Sequence, residues 1–207
     1  MDKHKHKLVI LEVLDYLRPH NLKFILKGGT ALMLCYALNR FSEDIDLDGA
    51  PGWNIIPIIE KFCKLKGYVC RVGKDTKTVQ RCFINYGNIE SPLKIEVSFR
   101  RRELDTRDII MYSDSIFVYG IESLLSMKLA AYSGRDKLRD IYDVTFICLN
   151  YWSSLSPLLR DMARSVLSYK ELEYVNYILQ EQSDELIDKD KLLSDFLTLL
   201  DKLGLVV

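Results

Sequence analysis

Residues 27–48, KGGTALMLCYALNRFSEDIDLD, constrain this chain more than any other stretch. Ahead of them a short apolar run, Phe24, Ile25 and Leu26, reads as a strand. Gly28 and Gly29 allow a sharp turn, and 30–38 carry the apolar pattern of a buried helix. A glycine turn at a helix N-terminus presents free backbone N–H groups to an anion such as a triphosphate. Successive strand side chains point to opposite faces, so Asp44, Asp46 and Asp48 share one face while Ile45 and Leu47 pack on the other. A phosphate cradle beside paired carboxylates suits metal-dependent chemistry on nucleotides.

Blander readings exist for each half of this pattern. Gly-Gly before a helix is common, and Asp-x-Asp often marks a solvated edge strand or a calcium loop. An EF-hand loop counted from Asp44 places Gly49 at position six but Ile55 at position twelve, where a bidentate glutamate is required. The calcium loop therefore fails. Asp-Ile-Asp-Leu also has poor strand propensity on its polar side, which implies that the acids serve a purpose other than folding.

With those residues in view, the segment resembles the glycine-plus-paired-acid motif of the DNA polymerase β-like nucleotidyltransferase superfamily. GGTAL, then Arg40, Ser42 and Asp44-Ile45-Asp46-Leu47, are similar in type and spacing to the abortive-infection nucleotidyltransferase family of AbiEii type, toxin components of bacterial toxin–antitoxin systems. Thr30 stands where the wider superfamily usually has serine, and it keeps the hydroxyl.

Composition bounds the rest. At 207 residues the chain suits one medium domain or two small ones, and 48% hydrophobic with 28% charged residues is an ordinary globular balance. The formal net charge is zero, so no global field draws the protein onto nucleic acid; any RNA contact must come from a local patch. The basic N-terminus leads into an apolar stretch broken by Glu12 and Asp15, which reads as an amphipathic helix and not as a secretory signal. No apolar run approaches a membrane span. Five cysteines without C-x-x-C spacing argue against zinc and for reduced thiols in a cytoplasm. His4, His6 and His20 read as surface residues.

The pattern predicts helices over 5–17, 30–38 and 55–66, and strands over 68–72, 78–86, 93–99 and 109–118. Turns are expected near Gly73, Gly87-Asn88 and Ser91-Pro92. Helices are expected over 121–132, 137–149, 156–167, 170–180 and 191–203. The expected fold is α+β: a nucleotidyltransferase-like mixed sheet with flanking helices over 1–119, followed by a helical bundle over 120–207.

The resemblance implies a third carboxylate on a neighbouring strand. Glu96 is the candidate, because Leu93, Ile95, Val97 and Phe99 face one way and Lys94, Glu96 and Ser98 the other. Asp44, Asp46 and Glu96 are then the ligands for Mg²⁺, or for Mn²⁺ in its place, with an NTP as substrate. Asp48 is either a supporting or a surface acid. A Lys-then-Arg-Asp-x-x-Asp pattern on consecutive helices also agrees with the family. It assigns Lys128 to catalysis and phosphate contact, with Arg139 and Asp140 beside it. Arg135 and Arg139 are expected to share a helix face, as are Asp136 and Asp140. Asp140 and Asp143 either order Lys128 or Arg139 or form structural pairs. The same resemblance gives Gly28, Gly29, Thr30, Arg40 and Ser42 to the nucleotide, Ser42 ordering the turn and Arg40 pairing with an acid or reaching phosphate. Arg100, Arg101, Arg102 and Arg107 form either an RNA-tracking cluster or a solvated loop.

Taken together, a cytoplasmic Mg²⁺-dependent nucleotidyltransferase is expected, the toxin-like half of a toxin–antitoxin or phage-defence module. Its acceptor would be an RNA, such as tRNA, or a protein hydroxyl, and its partner a cognate antitoxin. A catalytically silent nucleotide-binding regulator and an interaction protein with an acidic surface patch are the alternatives. Retention of both Asp44 and Asp46 speaks against the silent form.

Overall fold

The computed structural model describes residues 1–20, 22–87, 91–101, 103–104, 108–112, 116–169 and 172–205. The chain divides into two compact units, Met1–Gly120 and Ile121–Val207. In the first, α1 (Lys3–Tyr16) precedes β1 (Phe24–Lys27), α2 (Gly28–Cys35), β2 (Asp44–Gly49) and α3 (Ile56–Lys66). There follow β3 (Val69–Asp75), β4 (Val79–Asn85), β5 (Leu93–Ser98), β6 (Ile109–Tyr112) and β7 (Ile116–Tyr119).

Among the described residues these strands form one mixed seven-stranded sheet, ordered β3-β4-β5-β2-β1-β7-β6. Strand alternation gives it two unlike faces. On β5, Leu93, Ile95 and Val97 are buried while Lys94, Glu96 and Ser98 are half-buried. Parallel pairing sets Ile45 and Leu47 beside Ile95 and Val97, and antiparallel pairing sets Leu26 beside Leu47. These side chains make a continuous apolar layer, each contributing about 1.5–3 kcal/mol by leaving water. Helices α1 and α3 pack on each other and on strands of the sheet, α1 through Val9, Ile10, Val13 and Leu14 and α3 through Ile59 and Phe62.

Several element boundaries differ from the sequence reading, each for a local reason. The Asp2 side chain accepts hydrogen bonds from the His4 and Lys5 backbone, so α1 begins two residues early. The glycines are themselves the first turn of α2, and the helix stops at Cys35, before Ala37 at φ +57°. Gly73 is no turn: β3 runs through it, with a bulge between Val72 and Lys74. The run expected as one strand over 109–118 is instead two strands, β6 antiparallel to β7 with Tyr112 opposite Ile116; residues 113–115 lie outside the described residues. Gly67, at φ +70°, ends α3 at the expected place. Asn88 and Lys170, expected at a turn and a helix start, lie outside the described residues.

The second unit is helical: α4 (Ile121–Gly134), α5 (Leu138–Tyr151), α6 (Pro157–Tyr169), α7 (Leu172–Glu181) and α8 (Lys189–Lys202). Helix α5 is its centre, packed on α4 and α8, with Ile141, Val144, Ile147 and Cys148 buried. Asp188 caps α8 by accepting from the Lys191 backbone at 3.0 Å. Because α4 ends at Gly134, Arg135 and Asp136 fall in the connection to α5. The helix face expected to pair them with Arg139 and Asp140 is therefore broken. Among the described residues no helix is long and apolar enough to cross a membrane.

Ile95, fully buried between β2 and β4, tests the layered core. Ile95→Ala is expected to lower unfolding stability by about 2–5 kcal/mol, read from urea denaturation.

Candidate active site: a glycine turn against an acidic strand

The turn and the acid strand meet without intervening side chains. Gly28 adopts φ +72°, and a Cβ there would stand 3.0 Å from Asp46 Oδ2. A Cβ on Gly29 would come within 2.7 Å of Ser42 Oγ and 2.8 Å of Arg40 Nη2. A side chain at Gly28 would be strained by its positive φ and crowd Asp46, and one at Gly29 would force Ser42 or Arg40 to shift. Thr30 Oγ1 sits 3.0 Å from the Ser42 hydroxyl and hydrogen-bonds the Asp44 carbonyl, joining the first turn of α2 to the start of β2. The Ser42 backbone N–H donates to Met33 Sδ at 3.3 Å, and Arg40 Nη1 donates to the Phe41 carbonyl at 3.1 Å. Thr30, Arg40 and Ser42 are all buried. The family motif is thus a structural clasp, and its glycine amides open a helix whose N-terminus has no side-chain cap.

A histidine braces the same junction from α1. His6, expected on the surface, is buried, its Nε2 2.7 Å from the Glu43 carbonyl and its Nδ1 bonded to the Tyr86 hydroxyl. His4 is exposed, and His20 lies half-buried against the Trp53 ring. The helical spacing of His6 with Val9, Ile10 and Val13 was the signal that placed it on the inward face.

The acids lie in register on one face of the sheet: Asp46 of β2 pairs with Glu96 of β5, and Asp44 with Lys94. Lys94 Nζ lies 2.6 Å from Asp44 Oδ2. Arg81 Nε lies 2.7 Å from Glu96 Oε2. Burial pushes the Asp46 carboxyl above its ordinary pKa; Lys94 and Lys27 oppose the shift, and the charges of Asp44 and Glu96 reinforce it. Burial works against the Lys94 ammonium, but the hydrogen bond to Asp44 and the charges of Asp44, Asp46 and Glu96 outweigh it, and its pKa rises.

Asp48 is no surface acid. It is buried, paired with Lys27, 3.1 Å from Arg101 Nε, and accepts from the Tyr119 hydroxyl at 3.0 Å. Arg101 of the arginine cluster is thereby engaged; Arg100 is exposed, while Arg102 and Arg107 lie outside the described residues. Among the described residues no three His, Cys, Asp or Glu groups form a ready metal cage, and Lys94 and Arg81 pair with two of the carboxylates. Lys94 was visible in the alternation around Glu96. Arg81 became a partner only through the β4–β5 register.

In the helical unit, Lys128 Nζ lies 2.6 Å from Asp143 Oδ2 and 3.8 Å from Asp140 Oδ1, and both aspartates are buried. Arg135 grips Asp140 with two hydrogen bonds, at 2.6 and 3.0 Å. Arg139 pairs instead with Asp184, at 2.5 Å. Asp143 and Asp140 thus hold Lys128, and Asp140 also holds Arg135. Such buried clusters are costly to break, because removing one partner leaves a charge stranded.

The model of the family described as the nucleotidyl transferase AbiEii toxin of type IV toxin–antitoxin systems matches residues 11–204. No curated protein sequence matches the chain. Among solved structures, JHP933 from Helicobacter pylori is similar at a TM-score of 0.79 and 23% identity, over 98% of this chain and 92% of that one. A second H. pylori protein, provisionally assigned as a nucleotidyltransferase, is similar at 0.79 and 22% identity, over 98% and 95%. The antibiotic-resistance factor ANT(2'')-Ia is similar at 0.53 and 15% identity, over 86% and 99%. At these identities the solved structures speak to the fold, a nucleotidyltransferase-like mixed sheet with helices.

Two substitutions test the geometry. Thr30→Val strands the hydrogen-bonding groups of Ser42 and Asp44 and is expected to cost about 1–3 kcal/mol in urea unfolding, whereas Thr30→Ser retains most of it. Asp46 binds its proton more tightly folded than unfolded, so its ionisation weakens the fold as pH rises through the raised pKa. Asp46→Asn is therefore expected to melt higher than the parent at pH 7, by about 2–4 °C per kcal/mol relieved. The gain shrinks toward zero as pH falls to the ordinary carboxylate range; a gain constant from pH 7 to pH 4 would contradict the assignment.

Proposed function

The chain belongs to the AbiEii nucleotidyltransferase toxin family of type IV toxin–antitoxin systems, and from that premise we propose a metal-dependent enzyme that transfers NMP from an NTP to a hydroxyl of RNA or protein. The observation that carries this reading is the in-register placement of Asp44, Asp46 and Glu96 beside a glycine turn, with Gly28 against Asp46.

These residues fit a hard divalent cation. Their donors are carboxylate oxygens on one face, and Asp46 is a poorly accommodated anion that a cation would relieve. When bound, Mg²⁺ or Mn²⁺ neutralises the triphosphate and polarises the attacking hydroxyl. Asp44, Asp46 and Glu96 would hold the cation, releasing Lys94 and Arg81 from their pairs. The amides of Gly28, Gly29 and Thr30 would receive phosphate oxygens at the α2 N-terminus. The hydroxyl oxygen then bonds to the α-phosphorus, the bond to the β-phosphate oxygen breaks, and pyrophosphate leaves in line, the hydroxyl proton passing to the surrounding carboxylates. Lys128 in the helical unit would offer its ammonium to phosphate, positioned by Asp143 and Asp140, with Arg139 as a lesser contact. A cognate antitoxin and a cytoplasmic setting complete the proposal.

One observation favours the second reading, a nucleotide-binding regulator: Asp44 and Glu96 are already neutralised by Lys94 and Arg81. Incubation with each α-labelled NTP, Mg²⁺ or Mn²⁺, and total cellular RNA and protein separates the two. Label on a macromolecule with the parent, and its loss by at least about a hundredfold in Asp44→Ala/Asp46→Ala, is expected for a transferase. Metal-dependent NTP binding with no label on any acceptor would favour the regulator, and neither binding nor label would sink the nucleotide reading.

A further inference from the structure

The charged face of the sheet continues beyond the carboxylates. Cross-strand pairing carries two rows of side chains outward from them on that same face. In one row Asp44 is followed by Lys94, Phe83 and Arg71, across β2, β5, β4 and β3. In the other, Lys27, Asp46, Glu96, Arg81 and Lys74 stand side by side across five strands. Lys74 joins this face through the bulge after Val72, which resets the alternation. Both rows therefore run from acid at the middle of the sheet to cation at its β3 edge.

That edge is built for an anion with flat groups. Arg71 and Lys74 are exposed, and Arg81 and Phe83 are half-buried. The Arg71 guanidinium lies 4.2 Å from the Phe83 ring centroid. Gly73 lets that ring lie close to the β3 backbone, where a Cβ would stand 2.5 Å from its Cε2. The β3 acid Asp75 pairs with Gln80, on the other face. A chain with no net charge can hold a polyanion only through such a local patch, and in the arginine cluster Arg101 is already held by Asp48.

We propose that this face of β3 and β4 docks the backbone of a single-stranded RNA acceptor and leads its terminal hydroxyl toward Asp44, Asp46 and Glu96. Arg71 and Lys74 meet phosphates, and Phe83 with Arg71 offers the stacking surface for a base. The docking face deepens the transferase reading above and rests on it.

The test is fluorescence anisotropy of a labelled single-stranded oligoribonucleotide with the full chain, over a salt series. Arg71→Ala/Lys74→Ala is expected to weaken binding about tenfold or more and to lower the slope of log K against log salt by about 1.4, two phosphate contacts on a single strand. Phe83→Leu, which keeps an apolar side chain at that place, is expected to weaken it roughly tenfold with the slope unchanged. Thermal melts check that each variant is folded, and metal-dependent NTP binding is expected to match the parent. Unchanged RNA affinity and slope in the folded Arg71→Ala/Lys74→Ala variant would overturn the proposal. So would transfer to protein with no RNA binding by the parent. The transferase reading fails separately, by absence of acid-dependent label on any acceptor while RNA binding still depends on Arg71 and Lys74.

Discussion

The structure around the site depends on one close approach, that of the glycine turn to the acidic strand. Gly28 and Gly29 bring the α2 backbone against the side chains of Asp46, Ser42 and Arg40, so that a Cβ at either position would crowd them. Thr30 then ties the helix to the Asp44 carbonyl, and His6 holds the Glu43 carbonyl from α1. Each tie acts on the backbone of β2 or of the residues just before it. The carboxylates are therefore aimed by a rigid strand whose start is fixed from two sides, the arrangement by which precise sites are built on regular elements.

Gathering acids on a half-buried face raises an electrostatic cost, and the sheet meets it with cations in register. Lys94 answers Asp44, Arg81 answers Glu96, and Lys27 and Arg101 answer Asp48. Asp46 is left with the raised pKa, because burial and its acidic neighbours outweigh the pull of the lysines. Such a balance neutralises Asp44, Glu96 and Asp48 within the sheet and leaves Asp46 as the acid whose ionised form is least favoured. It also sets up the gradient from acid to cation along the sheet, since the same pairs that quiet the site begin the basic rows.

In the helical unit the same logic appears in a drier setting. Asp140 and Asp143 on α5 are buried, and Lys128 and Arg135 neutralise them from α4 and its connection to α5. The spacing of that motif in the chain reflects this packing: an acidic helix must find its bases on the element that lies against it.

Alternation and helical periodicity by themselves determined the element types, the apolar layer of Ile45, Leu47, Ile95 and Val97, and the shared face of Asp44, Asp46 and Glu96, because these follow from the repeat of a strand or a helix. They also marked Gly28 and Gly29, since a residue without Cβ is needed wherever backbone meets a side chain. Only the tertiary structure decided which charges meet. The burial of His6, the engagement of Asp48, the pairing of Arg139 with Asp184 and the turn of Lys74 onto the acid face all depend on partners distant in sequence. Register across strands, a bulge and helix packing set those partners, and a one-dimensional pattern carries no term for distance between segments.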